Sequence, residues 1–153
     1  MHSTKPAGKE RIAYRKLPWV ALLAALIAAV TNTLVYFAAS GLGFIPQSVL
    51  ITTPSGEHPL TVAPVVVSSV VGAIGAAIVF AIIGLFAPRP VRLFRTVATV
   101  VLVLSFAMPL TIPGAPVAMI LSLEVMHVVA WAVIVGLLTT MAREAKAVSV
   151  ESQ

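Results

Sequence analysis

The sequence predicts an all-α membrane protein: an antiparallel four-helix transmembrane bundle with both termini cytoplasmic. Three observations predict it. Of the 153 residues, 59% are hydrophobic and only 10% are charged, whereas a water-soluble domain carries roughly 25% charged residues to solvate its surface. The apolar residues gather in four runs, each close to the roughly 20 residues a helix needs to cross a bilayer. The ten Lys and Arg residues cluster at alternate ends of those runs. Length allows a single membrane domain over residues 1–153.

The first span covers residues 18–40, "PWVALLAALIAAVTNTLVYFAAS", after a basic tail over residues 1–17. Signal-peptide cores run about 7 to 15 residues, so this longer run reads as a retained helix. An external loop follows over residues 41–59. Its apolar piece "SVLI", set among Gly, Pro, Ser and Thr, points to a short re-entrant or interfacial segment, or a small strand, capping the outer end. The second span covers residues 60–87 and a cytoplasmic basic turn covers 88–93. The third span covers 94–112, the fourth 117–141, and a polar tail occupies 142–153. Pro18, Pro59, Pro88, Pro90, Pro113 and Pro116 mark the boundaries, where a missing N–H costs least.

Charge sets the orientation. Lys5, Lys9, Arg11, Arg15 and Lys16 precede the first span, Arg89, Arg92 and Arg95 stand between the second and third, and Arg143 and Lys146 follow the fourth. The positive-inside rule places all of them in the cytoplasm and the protein in the cytoplasmic (inner) membrane as a multi-pass protein. The net charge of +5 and pI of about 10.3 are therefore topology signals rather than a nucleic-acid footprint. The expected partner is the bilayer itself, with Arg89, Arg92 and Arg95 anchoring anionic headgroups at the cytoplasmic face.

Small residues let membrane helices approach closely. Ala21, Ala25 and Ala29 recur every four residues in the first span and lead to Asn32 and Tyr36. Ser68, Gly72 and Ala76, with Gly75 beside them, recur likewise in the second. Both stripes are expected to face the bundle interior. Short connections then force an up-and-down arrangement.

The fourth span, "LSLEVMHVVAW", carries the chemistry. Glu124 and His127 are three residues apart and project from one helix face, which Trp131 extends. A charge at the bilayer centre costs about 2.5 to 3.5 kcal/mol even on the lenient insertion scale. Such a residue is hidden in the bundle or lines a wet cavity, either neutral or sharing a proton with its neighbour. Asn32, Tyr36, Ser68 and Ser69 fall in the outer halves of their spans, and Ser105 nearer the middle of its own, followed by Pro109, which frees the Ser105 carbonyl. Packed together, these groups form a candidate outward-facing polar pocket beneath the external loop. Glu57 and His58 are the ionisable groups in that loop.

No cofactor or metal is expected. With no cysteine, thiolate sites and thiol chemistry are excluded. A di-metal bundle repeats Glu-x-x-His on two helices with further glutamates, and this chain has one copy. Haem lacks a second axial ligand inside the spans, and no activated nucleophile or oxyanion hole suggests an enzyme.

Five stretches, "YRKLPW", "TNTLVYFAA", "EHPLTVAPVVVSSVVGA", "RPVRLFRTVATVVLVLSFAMP" and "LEVMHVVAWAVIV", together resemble a family of small four-span bacterial membrane proteins, common in actinobacteria and classed as a domain of unknown function. The resemblance implies that Asn32, the turn from Pro90 to Phe94, and the Met126–His127 pair recur in the family. It implies the architecture and no activity. Two function classes fit the residues. One is a non-enzymatic module binding or transporting protons or a small amphiphilic ligand. The other is an accessory subunit, in a homo-oligomer or a larger membrane complex, whose Glu/His pair fixes helix packing.

Overall fold

Hydrocarbon offers no water to bond stray backbone groups, so a segment that crosses a membrane must satisfy its own N–H and C=O groups as a helix. The computed structural model, which describes residues 11–53 and 56–144, has four helices long and apolar enough to do so. Helix α1 is Leu17–Gly41, α2 is Val62–Phe86 and α5 is Val117–Met141, each of 25 residues. At about 1.5 Å per residue each is about 37 Å long, enough to pass an apolar core of about 30 Å. The remaining span, Pro90–Leu110, is broken into α3, Pro90–Ser105, and a short α4, Ala107–Leu110. The break follows from Pro109, which has no N–H for the Ser105 carbonyl. The chain is thus a multi-span helical membrane protein. Lys5, Lys9, Lys146 and the tail from Ala147 onward lie outside the described residues.

Helix α3 starts at Pro90 rather than at Phe94, so Arg92 and Arg95 stand on its first turns and not in a turn before it. Proline suits the first helical position because its fixed φ is already helical and its missing N–H would be unbonded there anyway. The connection between α1 and α2 holds a hairpin of β1, Leu50–Thr53, and β2, Gly56–Pro59, paired antiparallel with Leu50 opposite Pro59. Gly56 sits at φ 117°, a conformation that favours glycine at the start of β2.

Helix α1 is the central element and packs against both α2 and α5. Its buried residues include Ala24, Ala25, Ala28 and Ala29, with Asn32, Tyr36 and Ala39 beyond them. This is the predicted alanine face, widened by one residue so that it serves two neighbours. In α2 the expected stripe is on the wrong side. Ser68, Gly72 and Gly75 are exposed, Ala76 is half-buried against the core, and the buried face is Val65, Ser69, Ala73, Ala77 and Phe80. That face lies one residue, about 100°, around the helix. It still presents small residues to α1, and it adds Val65 and Phe80 at the ends of the seam and a Ser69 hydroxyl opposite Asn32.

Helix α3 touches the bundle mainly through its first turns. Pro90, Val91 and Phe94 are buried there, and the Phe94 ring meets Phe80 with centroids 4.7 Å apart. Arg95 Nη2 donates to Thr139 Oγ1 of α5 at 3.0 Å, so this arginine is tied into the fold.

The basic end is closed by the chain itself. Ala13 N–H donates to the Ala142 carbonyl at 2.9 Å and Glu144 N–H to the Arg11 carbonyl at 3.0 Å. This short antiparallel strap buries Ile12 and Ala142, and the Tyr14 hydroxyl donates to the Ala81 carbonyl at 3.3 Å. Room for the strap depends on Gly84 of α2, where a Cβ would overlap the side chains of Ile12 and Tyr14. The Gly84→Val variant is expected to lose about 1–3 kcal/mol, the usual range for overpacking. Gly72→Ala, where a Cβ meets open space, is expected to be neutral or to gain up to about 1 kcal/mol from helix propensity. Equilibrium unfolding of both variants in mixed micelles checks this, and equal effects at the two glycines would remove the strap from the account.

Candidate functional site

Two apolar clusters fill the bundle interior. One apolar cluster joins Ala24, Ala25 and Ala28 of α1 to Ala73, Ala77 and Phe80 of α2 and to Ile134, Val135 and Leu138 of α5. The other, at the hairpin end, joins Tyr36 and Ala39 of α1 to Ile45, Val49, Leu60, Val65, Met119 and Met126. Each long helix passes from one cluster to the other through a short gap. In α1 the gap holds Asn32, in α2 Ser68 and Ser69, and in α5 His127. Of these, Asn32 and Ser69 meet and form a small polar layer between α1 and α2, whereas Ser68 faces outward and His127 is half-buried on α5.

Within the layer Asn32 and Ser69 are each only 4% exposed. Asn32 Nδ2 donates to Ser69 Oγ at 3.0 Å, and the Ser69 hydroxyl donates to the Val65 carbonyl of its own helix at 2.8 Å. The chain of donors therefore runs from α1 into the backbone of α2. Ser68, one residue away, is exposed and donates to the Val65 carbonyl at 3.1 Å, on the outward face. Tyr36 closes the hairpin side, its hydroxyl donating to the Leu60 carbonyl at 3.2 Å.

On α5, His127 and Glu124 are both half-buried, and they are not bonded to each other. His127 Nδ1 lies 2.8 Å from the Leu123 carbonyl, one turn back. A carbonyl can only accept, so Nδ1 carries the proton and Nε2 keeps its lone pair in the neutral ring. Four buried polar atoms among the described residues have no hydrogen-bond partner: Asn32 Oδ1, Ser40 Oγ, Glu124 Oε2 and Trp131 Nε1. Three of the four belong to residues singled out from sequence. Glu124, His127 and Trp131 sit at i, i+3 and i+7, along one face of α5, and offer an acceptor, an imidazole and an N–H donor in that order.

The remaining candidates lie elsewhere. Ser105 is half-buried at the end of α3, its hydroxyl donating to the Leu102 carbonyl at 2.6 Å. Glu57 and His58 are exposed on β2 of the hairpin. Arg89 and Arg92 are exposed at the basic end, whereas Arg95 is bonded to Thr139. Among the described residues no three His, Asp or Glu side chains converge as metal ligands. Sequence reasoning missed a cleft of about 710 Å³ at the basic end, between the start of α1 and the end of α5, with Arg15, Lys16, Trp19 and Arg143 in its wall. The available signal was the placing of Arg15, Lys16 and Arg143 directly at those two helix ends.

Four apolar helices define a small multi-span membrane protein, with Glu124 and His127 half-buried on one of its spans. The chain belongs to the family of unknown function DUF6069, whose model matches residues 13–144. Comparison with curated proteins and with solved structures gave no match.

The Asn32–Ser69 bond makes a clear energetic prediction. Interhelical hydrogen bonds in membranes average about 0.6 kcal/mol and reach about 1.7. Ser69→Ala is expected to cost an amount in that range, because it leaves the Asn32 amide without its acceptor. Adding Asn32→Leu removes the stranded amide and is expected to recover most of the loss. A double-mutant cycle of unfolding free energies measures the coupling, and additive effects would mean the bond contributes nothing.

Proposed function

We propose that this protein is a non-enzymatic module of the cytoplasmic membrane whose polar layer is a hydrated site for protons or a small amphiphilic ligand. The site is reached from the hairpin end, and both chain ends face the cytoplasm. The observation that carries the reading is the set of buried, unpartnered atoms Asn32 Oδ1, Glu124 Oε2 and Trp131 Nε1. An unsatisfied buried polar group costs about 1–3 kcal/mol, and intramembrane ionisable residues are functional sites by default. Two of these groups share the His127 face of α5 and the third is on α1, and together they favour an occupant that can both donate and accept. The alternative, an accessory subunit whose Glu124–His127 pair locks packing, needs the two side chains bonded to each other. His127 instead spends Nδ1 on its own helix.

His127 reports on the proposal directly. In nanodiscs its imidazole protons are expected to show magnetisation transfer from water, in the wild type and in Glu124→Gln. An imidazole without water contact in both proteins would mean a sealed layer and would sink the proposal.

Sidedness has a separate test, made simple by a chain with no cysteine. Ser48→Cys in the hairpin connection is expected to react with an impermeant maleimide added to intact cells. Arg89→Cys is expected to react only after the membrane is opened. The reverse pattern would invert the orientation.

A further inference from the structure

The cleft at the basic end lies where the proposed site does not, and it is made of different chemistry. Among the described residues its wall carries three cations, Arg15, Lys16 and Arg143, and no acidic residue. Lys16 immediately precedes α1 and Trp19 stands on its first turn, while Thr140 belongs to the last turn of α5. Arg143 comes after that helix has ended, and it stays in place because the strap pairs its two neighbours in sequence, Ala142 with Ala13 and Glu144 with Arg11. The same pairing fixes the approach to α1 on which Arg15 sits. Without the strap, these cations would belong to two independent chain ends.

The rest of the cleft is apolar. Val20 and Met141 complete its lining, and Trp19, close to the start of the α1 span, is 67% exposed at its edge; tryptophan favours the boundary between headgroups and acyl chains. Further down α1, Leu22 and Leu26 are exposed on the lipid-facing surface. A free anion would cover the guanidinium groups and leave that apolar path bare. An anionic phospholipid satisfies both parts, with its phosphate forked by arginine and its acyl chains lying along the outer surface of α1.

We infer that the strap-closed cleft lined by Arg15, Lys16, Trp19 and Arg143 is a binding site for the phosphate headgroup of an anionic phospholipid. It is separate from the anchor expected at Arg89, Arg92 and Arg95. Of those three, Arg95 is bonded to Thr139, and Arg89 and Arg92 do not line the cleft. The site is independent of the polar layer.

Trp19 is the reporter for the test. The full chain carrying Trp131→Phe, which leaves Trp19 as the single tryptophan, is reconstituted in phosphatidylcholine vesicles containing a minor share of brominated lipid. Brominated phosphatidylglycerol is expected to quench Trp19 several-fold more strongly than brominated phosphatidylcholine at the same share. The excess is expected to disappear in Arg15→Gln/Lys16→Gln/Arg143→Gln and to persist in Arg89→Gln/Arg92→Gln. Excess quenching that survives the triple substitution overturns the site. An equal loss in the Arg89/Arg92 variant also overturns it, because diffuse surface charge would then suffice. If inorganic phosphate abolishes the excess, the cleft takes a free anion and the lipid assignment is wrong. The single variants Lys16→Gln and Arg143→Gln carry the same comparison if the triple variant loses its helical circular dichroism.

Discussion

The closeness of α1 to its two neighbours is the constraint on which the rest of the fold depends. Lipid tails are as apolar as leucine, so hiding apolar surface drives nothing here, and helices associate through dispersion contacts that fade within an ångström of separation. Alanine at positions 24, 25, 28 and 29 brings the backbone of α1 within reach of α2 on one side and α5 on the other. Helix α3 has no such seam. It relies on the Phe80–Phe94 contact and on the Arg95–Thr139 bond at one end, and most of its length faces outward.

The same closeness creates the polar layer. A bond of 3.0 Å from Asn32 to Ser69 requires the two backbones to run nearly in contact, and bulky residues on either helix would hold the groups apart. Packing and polarity are therefore coupled. The seam that stabilises the bundle also brings an amide into its interior and leaves the amide oxygen with nothing to accept from. Natural proteins are stable by only about 5–15 kcal/mol, so several unpaired groups at about 1–3 kcal/mol each are a substantial load.

Much of this was legible in the sequence. Spans of apolar residues bounded by proline gave four helices, because membrane crossing imposes a length and a composition that few other structures satisfy. Asn32, Glu124 and Trp131 stood out for the same reason that they are costly. What was not legible depends on rotation and on distance along the chain. Ser68–Gly72 and Ser69–Ala73 are equally good small-residue stripes, and only the partner, which must supply something opposite Asn32, chooses between them. Spacing put Glu124 and His127 on one face, yet the nearer acceptor for the imidazole was a backbone carbonyl one turn back. The pairing of Ala13 with Ala142 joins residues with the whole bundle between them, and no local pattern announces it. Gly84 looks like any other glycine in a membrane helix until the strap is seen lying across it.

That strap has a consequence for how the protein is made. It joins a segment that leaves the ribosome before the first span to one that follows the fourth. The amide of Ala13 therefore has no partner, and Ile12 no complete socket, until α5 has been synthesised and inserted. Biogenesis gives this end of the molecule two states, an open one during translation and a closed one afterwards. Arg143 joins Arg15 and Lys16 only in the second. A nascent chain and a finished one thus present different faces to whatever waits at that surface of the membrane.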